Sequence, residues 1–377
     1  MNKKTLVALA IVGALSTPAY ADITINGFAS VKAGMSMGSD ETLYDYTDEL
    51  DFKNESLMAL QVKSDLGDKL SVTAQLMGRG EDDFDIGFEW AFLSYQLNDN
   101  TTINAGRLRA PFYKYSEYMD VGYAYDWTRV PASIYGIGFN NIEGVSLYRT
   151  DVLGGFDSTI MAMIGGYEGE TRLGDGSLDN FMGASWELSR DWYNFRVAYY
   201  TADATLTFAN QDLNTLLGAL SANGLGALAN EMSFDKDKGT FFGIGAGIDR
   251  ESLVIVTEYN HVEVENSLFS DRDNYFVSVA YRLGTVTPYI SHEWQRHDAK
   301  TDIYLPYQGL ANTPAAPLYY GTVAAVESQQ RETDTFNVGL RYDFHASAAF
   351  KLQYTSQKDK LTDERASILV AGVDLVF

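Results

Sequence analysis

Reactive side chains are scarce in this chain. It has no cysteine, hence no disulfide, thiolate ligand or sulfur nucleophile. Its four histidines are His261, His292, His297 and His345. None lies in a His-Glu-x-x-His pattern, and no serine sits in a nucleophile elbow. Gly243-Ile244-Gly245-Ala246-Gly247 looks like a nucleotide loop, but no helix follows it. Its glycines alternate within a strand pattern and more simply spare room on one face. No acidic cluster has the spacing of a calcium loop. No catalytic residue, metal or cofactor is therefore expected. Fixed charge and phenol are abundant instead: 51 Asp and Glu, 28 Lys and Arg, and 25 Tyr. Between residues 110 and 141, Glu117, Asp120, Asp126 and Arg129 are interleaved with Tyr115, Tyr118, Tyr123 and Tyr125. Such a segment sets an electrostatic field; it does not break bonds. Rings of charge of this kind govern which ions pass a pore.

The N-terminus indicates where that field operates. Lys3 and Lys4 precede an apolar run from Leu6 to Leu15, followed by small residues at Ala19 and Ala21. This is the pattern of a secretory signal peptide over residues 1–21, and the run is too short to span a bilayer. The remaining 22–377 carry 26 basic and 51 acidic residues (28 − 2 = 26), a formal charge of 26 − 51 = −25. A nucleic-acid partner calls for a basic face and is not expected.

The elements that must position the charges read as strands. Alternation of period two recurs in sixteen segments, from 23–35 to 366–377. Among them are 144–150, 156–167, 180–188, 192–202 and 240–250. Connectors after even segments are short, such as Asn98-Asp99-Asn100, Glu251-Ser252 and Gly284-Thr285. Connectors after odd segments are longer; 109–143, 203–239 and 296–332 are the longest. All long loops then lie at one end, as in a transmembrane antiparallel barrel with short periplasmic turns and long extracellular loops. In the fourteenth segment Phe336, Val338, Leu340 and Tyr342 oppose Thr335, Asn337, Gly339 and Arg341. A water-filled barrel in lipid puts the first set outside. Trp192, Tyr193, Tyr342, Phe344 and Phe377 fall at the periplasmic edge, and Trp90 and Trp294 at the other. Leu213, Leu216, Leu217 and Leu220, stopped by Asn223-Gly224, predict a short helix on the barrel mouth.

The chain ends Gly372-Val373-Asp374-Leu375-Val376-Phe377. This resembles the C-terminal signal of outer-membrane barrels and departs from it at Val370, where that pattern has a polar residue. Asn104-Ala105-Gly106-Arg107-Leu108-Arg109-Ala110-Pro111-Phe112-Tyr113 resembles the passage from the fifth strand into the third loop of Gram-negative porins. The general porins and their phosphate-selective branch share such a passage. The resemblance implies a homotrimer in the outer membrane, contact with lipopolysaccharide and lipid, and delivery by the barrel-assembly machinery through Gly372, Leu375 and Phe377.

It also implies that segment 110–141 folds into the lumen as a constriction bearing Glu117, Asp120, Asp126 and Arg129. A basic wall is expected opposite, from Lys32, Lys63, Arg79, Arg196, Arg282, Arg341 and Lys351. Glu258 and Glu293 add acidic inward positions. Alternation puts Arg107 on the apolar face, whereas the resemblance puts it inward, by way of a bulge at Gly106. The expected function is passive diffusion of small hydrophilic solutes with a mild cation preference, since sixteen strands enclose an aqueous channel. The alternative is a channel selective for anions, phosphate or small organic solutes. Two remoter classes are an adhesin or receptor barrel and an outer-membrane hydrolase.

Overall fold

The computed structural model describes residues 22–39, 41–171 and 173–377, so the signal-peptide segment lies outside the described residues. Sixteen antiparallel strands, each paired with its sequence neighbours, form one sheet that closes where β1 (Ile23–Ser36) meets β16 (Arg365–Val376). Closure satisfies every strand edge, which lipid demands of any sheet that crosses it. Short turns join even strands to the next odd strand. Backbone with positive φ makes several of them tight, as at Gly154-Gly155 between β6 (Asn141–Leu153) and β7 (Phe156–Thr171).

The faces sort by exposure. In β14 (Arg331–His345), Phe336 and Val338 are 60% and 57% exposed, whereas Thr335 and Asn337 are 2% and 3%. The apolar face therefore points outward, which the sequence pattern alone does not decide. Trp192, Tyr342, Phe344 and Phe377 stay exposed at the periplasmic edge. Trp90 departs from the expected girdle. In β4 (Ile86–Asn98) a bulge opposite Gln75 and Leu76 of β3 (Leu70–Arg79) leaves Glu89 without a partner in the register. Glu89 and Trp90 both turn into the lumen, where Arg109 lies over the Trp90 ring.

Four strands rise furthest past their sequence segments. β7 continues to Thr171, and β8 (Gly174–Arg190), β9 (Tyr193–Phe208) and β10 (Phe234–Arg250) are extended to Gly174, Phe208 and Phe234. These extensions rise on the extracellular side, where neither face meets lipid, so their residues need no alternation. Helix α1 (Gln211–Ala222) is the one foreseen from the leucines, capped by Asn210, whose side chain accepts from two backbone amides. It packs with α2 (Gly226–Met232) and α3 (Ala316–Glu327) over a cluster of Leu220, Leu228, Met232, Phe234 and Val326.

Candidate functional site: the loop-filled lumen

Strand β5 (Thr101–Arg109) ends where the chain turns inward, and segment 110–140 crosses the barrel before β6 begins. Aromatics drive this path. Phe112, Tyr113, Tyr115, Tyr125, Trp127, Ile134 and Tyr135 are buried against inward residues of β7 to β13, including Phe181, Tyr200, Phe241, Phe276 and Tyr289. Phe112 packs at 4.9 Å from the Phe241 ring. Glycines line the inner face of β10 here. A Cβ at Gly243 would meet the Phe241 ring at 2.9 Å, so glycine leaves room for the ring on which Phe112 packs.

The wall grips the loop through polar groups. Glu258 accepts from the Tyr135 hydroxyl at 2.6 Å and the Lys114 amide at 3.0 Å. Glu293 accepts from Ser133 N and Oγ at 3.1 and 2.8 Å. Both face inward and serve as anchors. Arg196 donates to the Phe112 carbonyl at 2.8 Å and also to that of Pro111. Arg341 donates to the carbonyls of Tyr123 and Tyr125 at 2.8 and 3.0 Å. Lys351 donates to the carbonyls of Gly122 and Trp127, each at 2.6 Å, and pairs with Asp374 at 2.9 Å. Lys32 donates to the Thr128 carbonyl. A Cβ on Gly122 would come within 2.2 Å of Asp374 Oδ1, so the loop reaches this pair only with glycine there. Gly372 has the same role for Lys32, since its Cβ would meet the Lys32 Cγ at 2.6 Å.

Much of the expected basic wall thus holds the loop by its carbonyls rather than facing it across water. The loop's own charges are paired as well. Asp120 receives Arg109 at 2.5 Å and Arg79 at 2.9 Å, and the same arginines hold Glu89, each at 3.0 Å. Burial alone would raise the Asp120 carboxyl, but Arg109 and Arg79 bring it below the usual range. Asp126 goes the other way: burial raises it, and Arg341, 4.0 Å away, offsets this only in part. Glu117 accepts from the Tyr148 hydroxyl. Arg129 pairs with Glu55 of the first loop at 2.9 Å and lies over Tyr44. That loop also buries Tyr46 against Ile368 and Val370, which accounts for an apolar Val370 on the lumen face.

Three basic positions stand apart. Lys63 is exposed on the lumen face of β2 (Leu57–Gly67), in register with Thr24 and Thr73. Arg282 pairs with Asp249 at 2.5 Å near the periplasmic mouth. Arg107 is outside the lumen. It is in register with Ala91 and Glu143, shares the outer face with Ala105 and Val145, and pairs with Glu143. The irregularity at Gly106 (φ 137°) does not turn it; Arg109, two residues on, is the one that enters. Arg109 and Glu89 complete the charge belt; of the two, Glu89 carries no signal in the sequence. A cavity of about 480 Å³ lies beside it, lined by Gln61, Gln75, Trp90, Arg109, Glu117 and Asp120.

A profile of the Gram-negative porin family matches residues 6–374. No curated protein matches the chain. Among solved structures, OmpT of Vibrio cholerae is similar at TM-score 0.59 and 11% identity, over 96% of this chain and 99% of that one. It is also described in a trimer form. OmpF of Salmonella typhi gives 0.58 and 14%, over 94% and 97%. An anion-selective porin from Comamonas acidovorans gives 0.58 and 10%, over 95% and 100%. At these identities the structures attest the fold, and the profile attests the family. The chain belongs to the Gram-negative porin family and is a passive diffusion channel of the outer membrane, not an enzyme.

Proposed function

We propose that the pore passes small hydrophilic solutes and ions with a mild preference for cations, set at the extracellular rim. The supporting observation is where charge is left over. At the constriction, Asp120 and Glu89 share Arg79 and Arg109, so that belt is neutral: two carboxylates against two guanidiniums. At the rim over β1 to β4, a recess of about 510 Å³ gathers Asp51, Asp82 and Asp83 around one cation, Lys53. An excess of one sign at a mouth raises the local concentration of counter-ions. An anion-specific channel would want Arg79, Arg107 and Arg109 bare in the lumen. Two of them are neutralised and the third faces outward. Solutes would pass beside the belt, through the cavity at Trp90 and Glu117.

Planar bilayers under a salt gradient test this. A reversal potential of cation sign, with conductance rising linearly with salt, is expected; an anion sign would refute it. The assembled form we infer is a homotrimer, as for OmpT of Vibrio cholerae; a single-subunit mass in detergent would refute that. Half-buried Leu375 and exposed Phe377 on the outer face, with Gly372, would be read by the assembly machinery. Lipopolysaccharide would meet the outer face near Arg107 and Glu143.

A further inference from the structure

We propose that the extracellular vestibule is a binding site for small aromatic carboxylates, with the ring in an apolar chamber and the carboxylate on Arg272. The chamber, of about 340 Å³, lies between the end of the constriction loop and the raised ends of β7 to β10. Phe139, Phe181, Tyr200, Leu206, Phe241 and Phe269 form most of its wall. Arg272 of β12 (Asp271–Tyr281) lies at its edge. Its charged lining is Arg272 and, turned toward His261, Glu263; an otherwise apolar cavity of this size is built like a small-molecule pocket, not like a water channel.

Arg272 differs from the arginines around the constriction loop in having neither carboxylate nor carbonyl among the described residues. Its Nε is buried without a hydrogen-bond partner, and its guanidinium stacks over Phe269 at 3.8 Å. The ionisable groups acting on it are the Tyr113 phenol and Arg331. In register beside it are His297 of β13 (Val286–Asp298), whose Nε2 is also buried and unpartnered, and Arg331 of β14. Three basic side chains thus cross the lumen wall in a row. The nearby acids are engaged elsewhere: Asp271 toward Lys300 at 3.5 Å, and Asp273 and Glu263 toward His261 at 3.0 and 4.0 Å. Arg272 is half-buried, and leaving its buried Nε without a partner is costly. A ligand carboxylate would offset that cost through the planar fork that suits carboxylates. Charge alone leaves the chamber unfilled, and an apolar body alone leaves the cation unmatched, so the ligand needs both.

This site is independent of the ion preference proposed above, which is read in plain salt. The test is current block of the native protein in bilayers by 2-naphthoate added on the extracellular side. Acetate, 2-naphthalenemethanol and 2-naphthylmethylamine are the comparisons. Saturable block by naphthoate, and at least tenfold weaker block by the three others, is expected. Arg272→Gln should raise the half-blocking concentration roughly tenfold or more, as loss of a charged hydrogen bond does. Arg331→Gln, farther along the row, should raise it less. Equal block by acid and alcohol, or unchanged block in Arg272→Gln, overturns the proposal. If Arg272→Gln does not assemble, the acid–alcohol contrast and Arg331→Gln decide: absence of both effects overturns the proposal as well.

Discussion

Two groups of arginines line the same lumen and are used in opposite ways. Arg79 and Arg109 meet Glu89 and Asp120 in a closed set of four ion pairs. Arg272, with His297 and Arg331 in register, meets no carboxylate among the described residues. The first group fixes the loop and cancels its own field. The second leaves charge available to a solute. Counting inward arginines therefore says little about selectivity; what each one already touches decides it.

The sharpest way to break the contrast is to unbalance the closed set. Asp120→Asn leaves two guanidiniums against one carboxylate, a disruption of the kind that costs about 3–5 kcal/mol when the pair is buried. The reversal potential should move toward anions and the open-channel noise should rise, while heat-modifiable gel migration shows an intact barrel. No movement would mean that the belt does not border the conduction path. Next in size is Gly122→Ala. Its new Cβ has nowhere to go beside Asp374, and an overpacked contact costs about 1–3 kcal/mol. The loop should lift from Lys351, read as greater protease sensitivity within 110–140.

Acidification gives a smaller and signed effect. Asp126 is held above the usual carboxyl range by burial, so it takes up its proton before Asp120 as pH falls. The lumen should therefore lose this negative charge above the ordinary carboxyl range, in addition to the rim's contribution to cation preference, and Asp126→Asn should remove that early component. A titration identical in native protein and variant would contradict this. The smallest effect belongs to Arg107→Gln. An exposed pair on the outer face contributes about 0–1 kcal/mol, so ion selectivity should not change. A selectivity shift would place Arg107 in the conduction path after all.

The barrel was legible because lipid and water impose opposite chemistry on alternate residues, and the long–short loop rhythm set its orientation. That legibility stops where the constraint stops. The raised ends of β7 to β10 stand clear of lipid, so their outer face needs no apolar alternation and 168–179 reads as loop. The charge belt was unreadable for another reason. Glu89 is inward only because of a bulge, and Arg109 only because the chain turns at Ala110; neither follows from parity. Lys351 and Arg196 are on the polar faces expected of them, but their carbonyl partners lie more than eighty residues away.

The lock on Gly122 and Thr128 has a consequence for how the protein is made. Its parts come from both ends of the chain: Ser30 and Lys32 from β1, Lys351 from β15 (Ala348–Asp359) and Asp374 from β16. Those strands become neighbours only when the first and last are zipped together. Until that final seam forms, the inner segment has no complete latch, so a half-built cylinder is an unguarded hole. Sealing the sheet and narrowing its bore are one event, and a subunit that fails to close is also one that fails to restrict.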